Sequence, residues 1–225
     1  MGRTVSEIIQ ELQDFGSCDV ADGLSKIKHP YGGYLEGLVM YSPKLQEGDT
    51  KIIGQAFTVK FVQKSEKEAP SISGHYQIDM VPANQVLFIS QPRPHLNAVF
   101  GGLMSLRAQA LRAAGVIVDG MIRDLGERRA LGMSVFARAV GTTAANEVCR
   151  VSEVNVPVKL STSHQDLTVS PGDFIIADLN GVVCLPFELA DAVLDVIPGK
   201  VATDEKCAEG IRNGRSVEDV FGEFR

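Results

Sequence analysis

Between Gly101 and Ala139 the chain alternates helix and strand signals so regularly that few architectures stay open to it. Leu103, Leu106, Ala110, Leu111 and Ala114 fall on one helical stripe that opens at Gly101-Gly102 and is stopped by Gly115. Residues 116–118 (VIV) read as a strand, 125–131 as a short helix ended by Gly132, and 134–139 as another strand. Strand–helix–strand order of this kind predicts helices layered on a sheet, an α/β protein.

The flanking segments fit that frame. Val5, Ile8, Ile9, Leu12 and Phe15 predict a helix over 5–15, capped by Thr4 or Ser6 and ended by Gly16. A second short helix is expected over 19–28, then a Gly/Pro/Tyr connector over 30–34. Residues 51–62 read as one or two strands, with Gly54 marking a bulge. Residues 65–70 read as an exposed loop, and 86–90 (VLFIS) as a buried strand. Short strands follow at 156–160, 167–169, 174–177 and 182–185, turned at Pro171-Gly172-Asp173 and Asn180-Gly181. From Phe187 the tail is helical, with breaks expected at Pro198-Gly199 and Asn213-Gly214. With no internal repeat, one domain over 1–225 is the simplest organisation.

Composition narrows the class further. Against 28 Asp+Glu stand 22 Lys+Arg, a formal charge of −6, so the Lys/Arg excess that meets a phosphate backbone is missing and no nucleic-acid partner is expected. A chain of 225 residues buries about seven-tenths of its surface, enough for a core without disulfide staples. Cys18, Cys149, Cys184 and Cys207 form no C-x-x-C pair and read as buried reduced thiols. No apolar run approaches a bilayer span, so no membrane is expected. The start, MGRTVSEIIQELQDF, lacks the uncharged core of a secretory signal, which makes the cytoplasm the default. Gly2 and Ser6 have the bare spacing of a myristoylation signal, a pattern too short to carry weight.

Three places combine polar groups with a reason to be fixed. Gly101-Gly102 opens a helix, where bare backbone and unpaired amides favour an anion; the plainer alternative is a connector. Arg123-Asp124 follows a strand directly, and Glu127 lies three residues on. That spacing suits a capping box with Asp124 as the cap. It equally suits two carboxylates holding a hard divalent cation, with Arg123 gripping a planar carboxylate. Asp19 and Asp22 share a helix face and read first as N-terminal helix charges, with catalysis as the alternative. His29, His75, His95 and His164 show no metal-ligand spacing, and no G-x-S-x-G elbow anchors a serine triad.

Taken together, Gly101 to Met104, Gly115 to Gly120, Arg123-Asp124, Val135 to Arg138 and Pro171-Gly172-Asp173 resemble the regulator of ribonuclease activity A family. That family includes the class II 4-hydroxy-4-methyl-2-oxoglutarate aldolases. Cys18 to Gly23 looks like its N-terminal motif, and Asp178 with Gly181 to Val183 like its late strand; the likeness runs from about Phe15 to Pro186 and is greatest to eukaryotic members. Its most specific element is Gly102, twenty intervening residues, Arg123-Asp124, two residues, then Glu127.

The resemblance implies that Gly101, Gly102, Leu103, Met104 and Arg123 bind substrate, that Arg123 and Asp124 are catalytic, and that Asp124 and Glu127 hold Mg²⁺ or Mn²⁺. Asn180 departs from the family, which often has Asp there. An acid from a neighbouring subunit's C-terminal region is also implied; Glu205 is a candidate that no motif fixes. The implied fold is a ββα sandwich of the swivelling-domain type with helices at both termini, assembled as a homotrimer or hexamer. The implied function is metal-dependent C–C lysis of a small 2-oxo acid: aldol cleavage giving pyruvate, and oxaloacetate decarboxylation. Two rivals are a non-catalytic protein-binding regulator and a related lyase with a secondary-metabolism substrate, its pocket shaped by the loop over 63–82.

Overall fold

Apolar runs without polar alternation, such as VLFIS, FIIA and VVCL, need a core on both faces of the sheet, and the fold supplies one. A computed structural model describes residues 2–72 and 76–225, so His75 lies outside the described residues. In chain order the elements are α1 (Val5–Leu12), α2 (Ser17–Lys26), β1 (Val39–Ser42), β2 (Ile52–Gln63), β3 (Val86–Ser90), α3 (Gly102–Ala110), β4 (Gly115–Ile122), α4 (Leu125–Leu131) and β5 (Val135–Val140). There follow α5 (Ala145–Val148), β6 (Cys149–Val154), β7 (Val158–Lys159), β8 (Thr168–Val169), β9 (Phe174–Asp178), β10 (Gly181–Leu185), α6 (Ala190–Arg212) and α7 (Val217–Phe224). Single 3₁₀ turns occupy Pro30–Gly33, Gln77–Met80 and Phe187–Leu189.

The main sheet has the order β1-β5-β4-β3-β2-β9-β10, with β6 also paired to β2. Strands β2, β3, β4 and β5 are mutually parallel, so β3–α3–β4–α4–β5 forms two consecutive βαβ units. At the far ends β10 approaches β1, and Tyr34 bridges to Val183, so the sheet nearly closes. Side chains alternate between an interior and two outer cores. Phe88, Ile117, Phe136, Ile175 and Val182 fill the interior. Leu87, Val116, Val118 and Val135 pack outward with Met104, Ala108, Leu125 and Leu131 of α3 and α4. Phe174, Ile176, Val183 and Leu185 meet Leu12, Leu24 and Ile197 of α1, α2 and α6. This is the layered α/β architecture expected, with helices at both termini.

Several local expectations are corrected. The stripe over 103–114 ends at Ala110, and Gly115 opens β4 instead of stopping a helix. Leu103 and Leu106 are 75% and 50% exposed, while Gly102, Ser105 and Ala108 face inward. Periodicity marks a stripe but not which way it faces, and here the inner face must be small because the Arg128 side chain packs beneath it. Gly54 is not a bulge. Strand β2 runs unbroken, its irregularity lies at Lys60/Phe61, and a Cβ at Gly54 would stand 2.8 Å from the Asn84 carbonyl oxygen.

Helix α6 passes through Pro198-Gly199 without a break. A proline costs the helix one hydrogen bond, but both residues face solvent while Val193, Leu194 and Ile197 bury against the other terminal helices. The stop at Asn213-Gly214 holds, with Gly214 at φ +82°. Strands β1 and β6 and helix α5 have no counterpart among the sequence expectations; β6 (CRVSEV) carries charges of both signs that mask its period.

Asp178 ties the late hairpin to the N-terminal helices. Its Oδ1 accepts from the Asn180 amide at 2.9 Å and from Ser17 Oγ at 2.7 Å, and its Oδ2 accepts from the Ser17 amide at 2.7 Å. Asn180 Nδ2 adds a fourth donor at 3.2 Å, so Asn180 serves the turn itself. Burial pushes this carboxyl up, yet the Ser17 and Asn180 donors outweigh it and hold it below the ordinary aspartate range. A group lowered by folding stabilises above its unfolded value and loses that contribution as pH falls through the folded one. Asp178→Asn is therefore expected to cost about 1–2 kcal/mol at pH 7. The gap to the native chain should narrow below about pH 3.9, as read by thermal melts across pH.

Candidate active site

In open parallel sheets, ligands sit beyond the carboxyl ends of the strands. Here the chain after β3 is laid along the end of β4: the Val99 amide donates to the Met121 carbonyl at 2.9 Å, and the Arg123 amide to the Phe100 carbonyl at 3.0 Å. The buried Gln91 side chain pins that segment, accepting from the Met121 amide and donating to the Asn97 carbonyl, both at 2.8 Å. The start of α3 is thereby set against the start of α4. Between them opens a cleft of about 560 Å³, lined by residues 98–104, Arg123, Asp124, Glu127 and Ala145. All the residues the sequence pointed to for substrate and cation are in that lining. Ala98, Val99, Phe100 and Ala145 are additions that no sequence signal marked.

Asp124 stands at the N-cap of α4 but does not cap it. Its backbone is left-handed (φ +62°, ψ +49°), and its side chain makes no bond to the amides of its own helix. The carboxylate crosses to the other helix instead, where Oδ2 accepts from the Gly102 amide at 2.9 Å, and it lies 3.4 Å from Arg123 Nε. The capping-box geometry is thus absent, and the acid is aimed at the cleft. Glu127, one turn on, leans over the same helix start: a Cβ built on Gly102 would overlap Glu127 Oε2, and one on Gly101 would come within 2.7 Å of Asp124 Oδ2. The two glycines are needed because two carboxylates occupy the space a side chain would take.

Charge in the cleft comes from few groups. Arg123 is about two-fifths exposed, with Nη1 on the Thr142 carbonyl at 3.4 Å. The amides of Leu103 and Met104 belong to the first turn of α3 and have no intrahelical partner, so they and the helix dipole favour an anion. Beneath lies Arg128, fully buried, its pKa pushed down to about 10 by that burial and partly restored by the charge of Asp124. Asp124 and Glu127 are hard oxygen donors on one wall, a set that suits a Mg²⁺-like ion completed by water and ligand oxygens. Among the described residues no group of three or more His, Cys, Asp or Glu gathers.

The other candidates sit elsewhere. Asp19 accepts from the Gly16 amide at 2.8 Å and Asp22 pairs with Lys200 at 3.1 Å, so both serve the terminal helices. Glu205 lies on α6 beside Asp204 and Glu209, outside this chain's own cleft. His29, His95 and His164 are not in the lining, nor are the described residues of the 63–82 loop. Cys149, Cys184 and Cys207 are buried and unpaired as expected, whereas Cys18 is exposed.

Residues 17–184 match the RraA-like family model Aldolase/RraA. Protein DlpA of Legionella pneumophila is 27% identical over 98% of this chain, which spans 34% of that protein. A 4-hydroxy-4-methyl-2-oxoglutarate aldolase of Thermus thermophilus is 33% identical over 46% of this chain and 60% of the enzyme. The chain thus spans about a third of the first relative and three-fifths of the second. The fold is similar to that of Streptomyces coelicolor RraAS2, described as an unusual member of the RNase ES inhibitor RraA protein family. The TM-score is 0.73 at 22% identity, over 96% of this chain and all of that one.

The crowding at Gly102 gives a direct check. Gly102→Ala should lower stability by about 1 kcal/mol, because the new methyl displaces Glu127 and outweighs the gain in helix propensity. In a Glu127→Ala background the same change should be neutral or stabilising. Urea unfolding of the four chains decides; an equal shift in both backgrounds would place the Glu127 carboxylate elsewhere.

Proposed function

The chain belongs to the Aldolase/RraA family, and on that premise we propose that it is a divalent-metal-dependent C–C lyase acting on 2-oxo acids. The observation that carries this reading is the convergence of Arg123, Asp124 and Glu127 on the glycine-opened start of α3. The reactions proposed are aldol cleavage of 4-hydroxy-4-methyl-2-oxoglutarate to pyruvate and decarboxylation of oxaloacetate. The name of the Thermus relative supports the first of these.

Each residue has a defined task in this reading. Asp124 and Glu127 hold the cation, Mg²⁺ or Mn²⁺. That ion supplies Lewis-acid polarisation of the 2-oxo group. The Leu103 and Met104 amides orient the substrate's C1 carboxylate at the helix N-terminus. Arg123 donates to the keto oxygen, where negative charge builds as the C3–C4 bond breaks and pyruvate enolate forms. In decarboxylation CO₂ departs with no proton to remove; in aldol cleavage the C4 hydroxyl also gives up its proton, to water in the open cleft, and in both reactions the enolate takes a proton from solvent at C3 to become pyruvate. No lysine lines the cleft among the described residues, so no Schiff base is invoked.

Assembly as a homotrimer or hexamer is proposed on the family likeness, and the exposed Leu103 and Leu106 of α3 are apolar surface that a subunit contact would cover. No helix among the described residues is long and apolar enough to cross a membrane, and the cytoplasm is the proposed location.

Oxaloacetate consumption and pyruvate release, with and without chelator, test the reading. Turnover should vanish with chelator and return with Mg²⁺ or Mn²⁺. Asp124→Ala should lower kcat/KM by about a thousandfold or more and Arg123→Lys by about a hundredfold. Trapping of a pyruvate adduct by borohydride would sink the metal-dependent assignment. A native chain with no chelator-sensitive turnover on either substrate would favour the protein-binding regulator.

A further inference from the structure

Arg128 is the largest fully buried side chain of the described residues. It forms no ion pair with a carboxylate there, and its Nη1 has no hydrogen-bond partner. A guanidinium in such a place is costly, and an apolar side chain of the same length would fill the space more cheaply. What the Arg128 side chain does have is two bonds, one to Phe100 in the cleft lining and one to Ser105 on the inner face of α3. Nη2 donates to the Phe100 carbonyl at 3.2 Å, and Nε donates to Ser105 Oγ at 3.1 Å. Its guanidinium carbon also lies 5.4 Å from the centroid of the Phe100 ring.

The chain of contacts continues from there. Ser105 Oγ, taking the bond from Arg128, donates to the Gly101 carbonyl at 3.1 Å, and the Ser105 amide reaches the same oxygen at 3.0 Å. The Phe100 carbonyl also accepts from the Arg123 amide. Two successive carbonyls, Phe100 and Gly101, are thus drawn into the protein. A trans peptide is planar, with its C=O and N–H opposed, so turning those carbonyls inward turns the next two amides outward. The second of these is the Gly102 amide that holds Asp124 Oδ2 at 2.9 Å. Two glycines in sequence leave this stretch little of its own to resist rotation, which makes an external clamp necessary.

We infer that Arg128 is a positioning residue for the cleft: it touches no substrate, but it sets the peptide planes of Phe100 to Gly102 and thereby the carboxylate of Asp124. Its link to catalysis rests on the lyase reading above; its ordering of the glycine segment does not. Two readouts separate the two.

The first is amide hydrogen exchange in Arg128→Met, a substitution that keeps an unbranched apolar stem in place and removes the bonds. Exchange at Gly101 to Ser105 should quicken about tenfold or more while β3, β9 and α6 stay as they were. The second is calorimetric binding of oxalate, an enolate mimic, in the presence of Mg²⁺. Its Kd should rise about tenfold in Arg128→Met and less in Arg128→Lys, which keeps the charge and part of the bonding. Ser105→Ala should weaken oxalate too, and adding it to Arg128→Met should change little more, since both act along one relay.

Unchanged exchange over Gly101 to Ser105, or an unchanged oxalate Kd when the native chain binds oxalate, overturns the inference. So does a uniform quickening of all core amides, which is what a merely structural arginine would give. If Arg128→Met does not fold, Arg128→Lys and Ser105→Ala carry the same comparison. A native chain that binds no oxalate with Mg²⁺ removes the lyase reading and the catalytic link with it, and exchange then decides the ordering alone.

Discussion

One hydrogen bond, from the Gly102 amide to Asp124 Oδ2, joins the two βαβ units at the point where their ligand-binding ends meet. Making it asks for several things at once. Asp124 must adopt a left-handed backbone, which for a non-glycine residue costs about 1–2 kcal/mol and which aspartate tolerates better than most. Positions 101 and 102 must lack side chains, since Asp124 and Glu127 fill that space. The carbonyls beneath must point inward, which is where Arg128 and Ser105 act. Strain in Asp124, bareness in the glycines and burial of a guanidinium are thus three parts of one arrangement.

The sheet explains why that arrangement is rigid enough to matter. Strands β3, β4, β9 and β10 are covered on both faces, so each anchors in the interior core and in an outer one. Two-sided burial is also why these strands were legible as short apolar runs bounded by turn residues. Helix α3 was harder to read for the converse reason. Its inner face is Gly102, Ser105 and Ala108, small and partly polar, and its large apolar residues Leu103 and Leu106 point out. A hydrophobic stripe finds the core only when the core-facing side is the apolar one, and here a buried arginine claimed that side.

The site was readable in its acids and its guanidinium and unreadable in its support. Arg123, Asp124 and Glu127 stand at a spacing that admits a cap or a cation site, and the cap is removed by one torsion, the left-handed φ of Asp124. Nothing in the residues around Asp124 announces that torsion. Arg128 is one of two adjacent arginines in a helix with charge on every side, and composition gives no reason to bury it over Arg129. Likewise Pro198-Gly199 looks like a helix break by local rules, and only the packing of Val193, Leu194 and Ile197 carries α6 past it. Local chemistry was visible where it is carried by side-chain type, and hidden where it depends on what lies across the fold.

The charge of the chain sharpens the chemistry of the cleft. The protein carries −6 overall, and the charged side chains lining the cleft are one guanidinium and two carboxylates. A bare cleft of that make-up, even with the start of α3 behind it, is a poor host for a dianion. On the lyase reading, a dication held by Asp124 and Glu127 would turn this lining net positive, beside the Arg123 guanidinium and the open amides of Leu103 and Met104. In a partly enclosed site, where the effective dielectric is well below that of water, this change of sign is worth several kcal/mol to an arriving oxo acid. On the lyase reading, the two acids first select the ion, and the ion then makes the cleft one that an anionic substrate can enter.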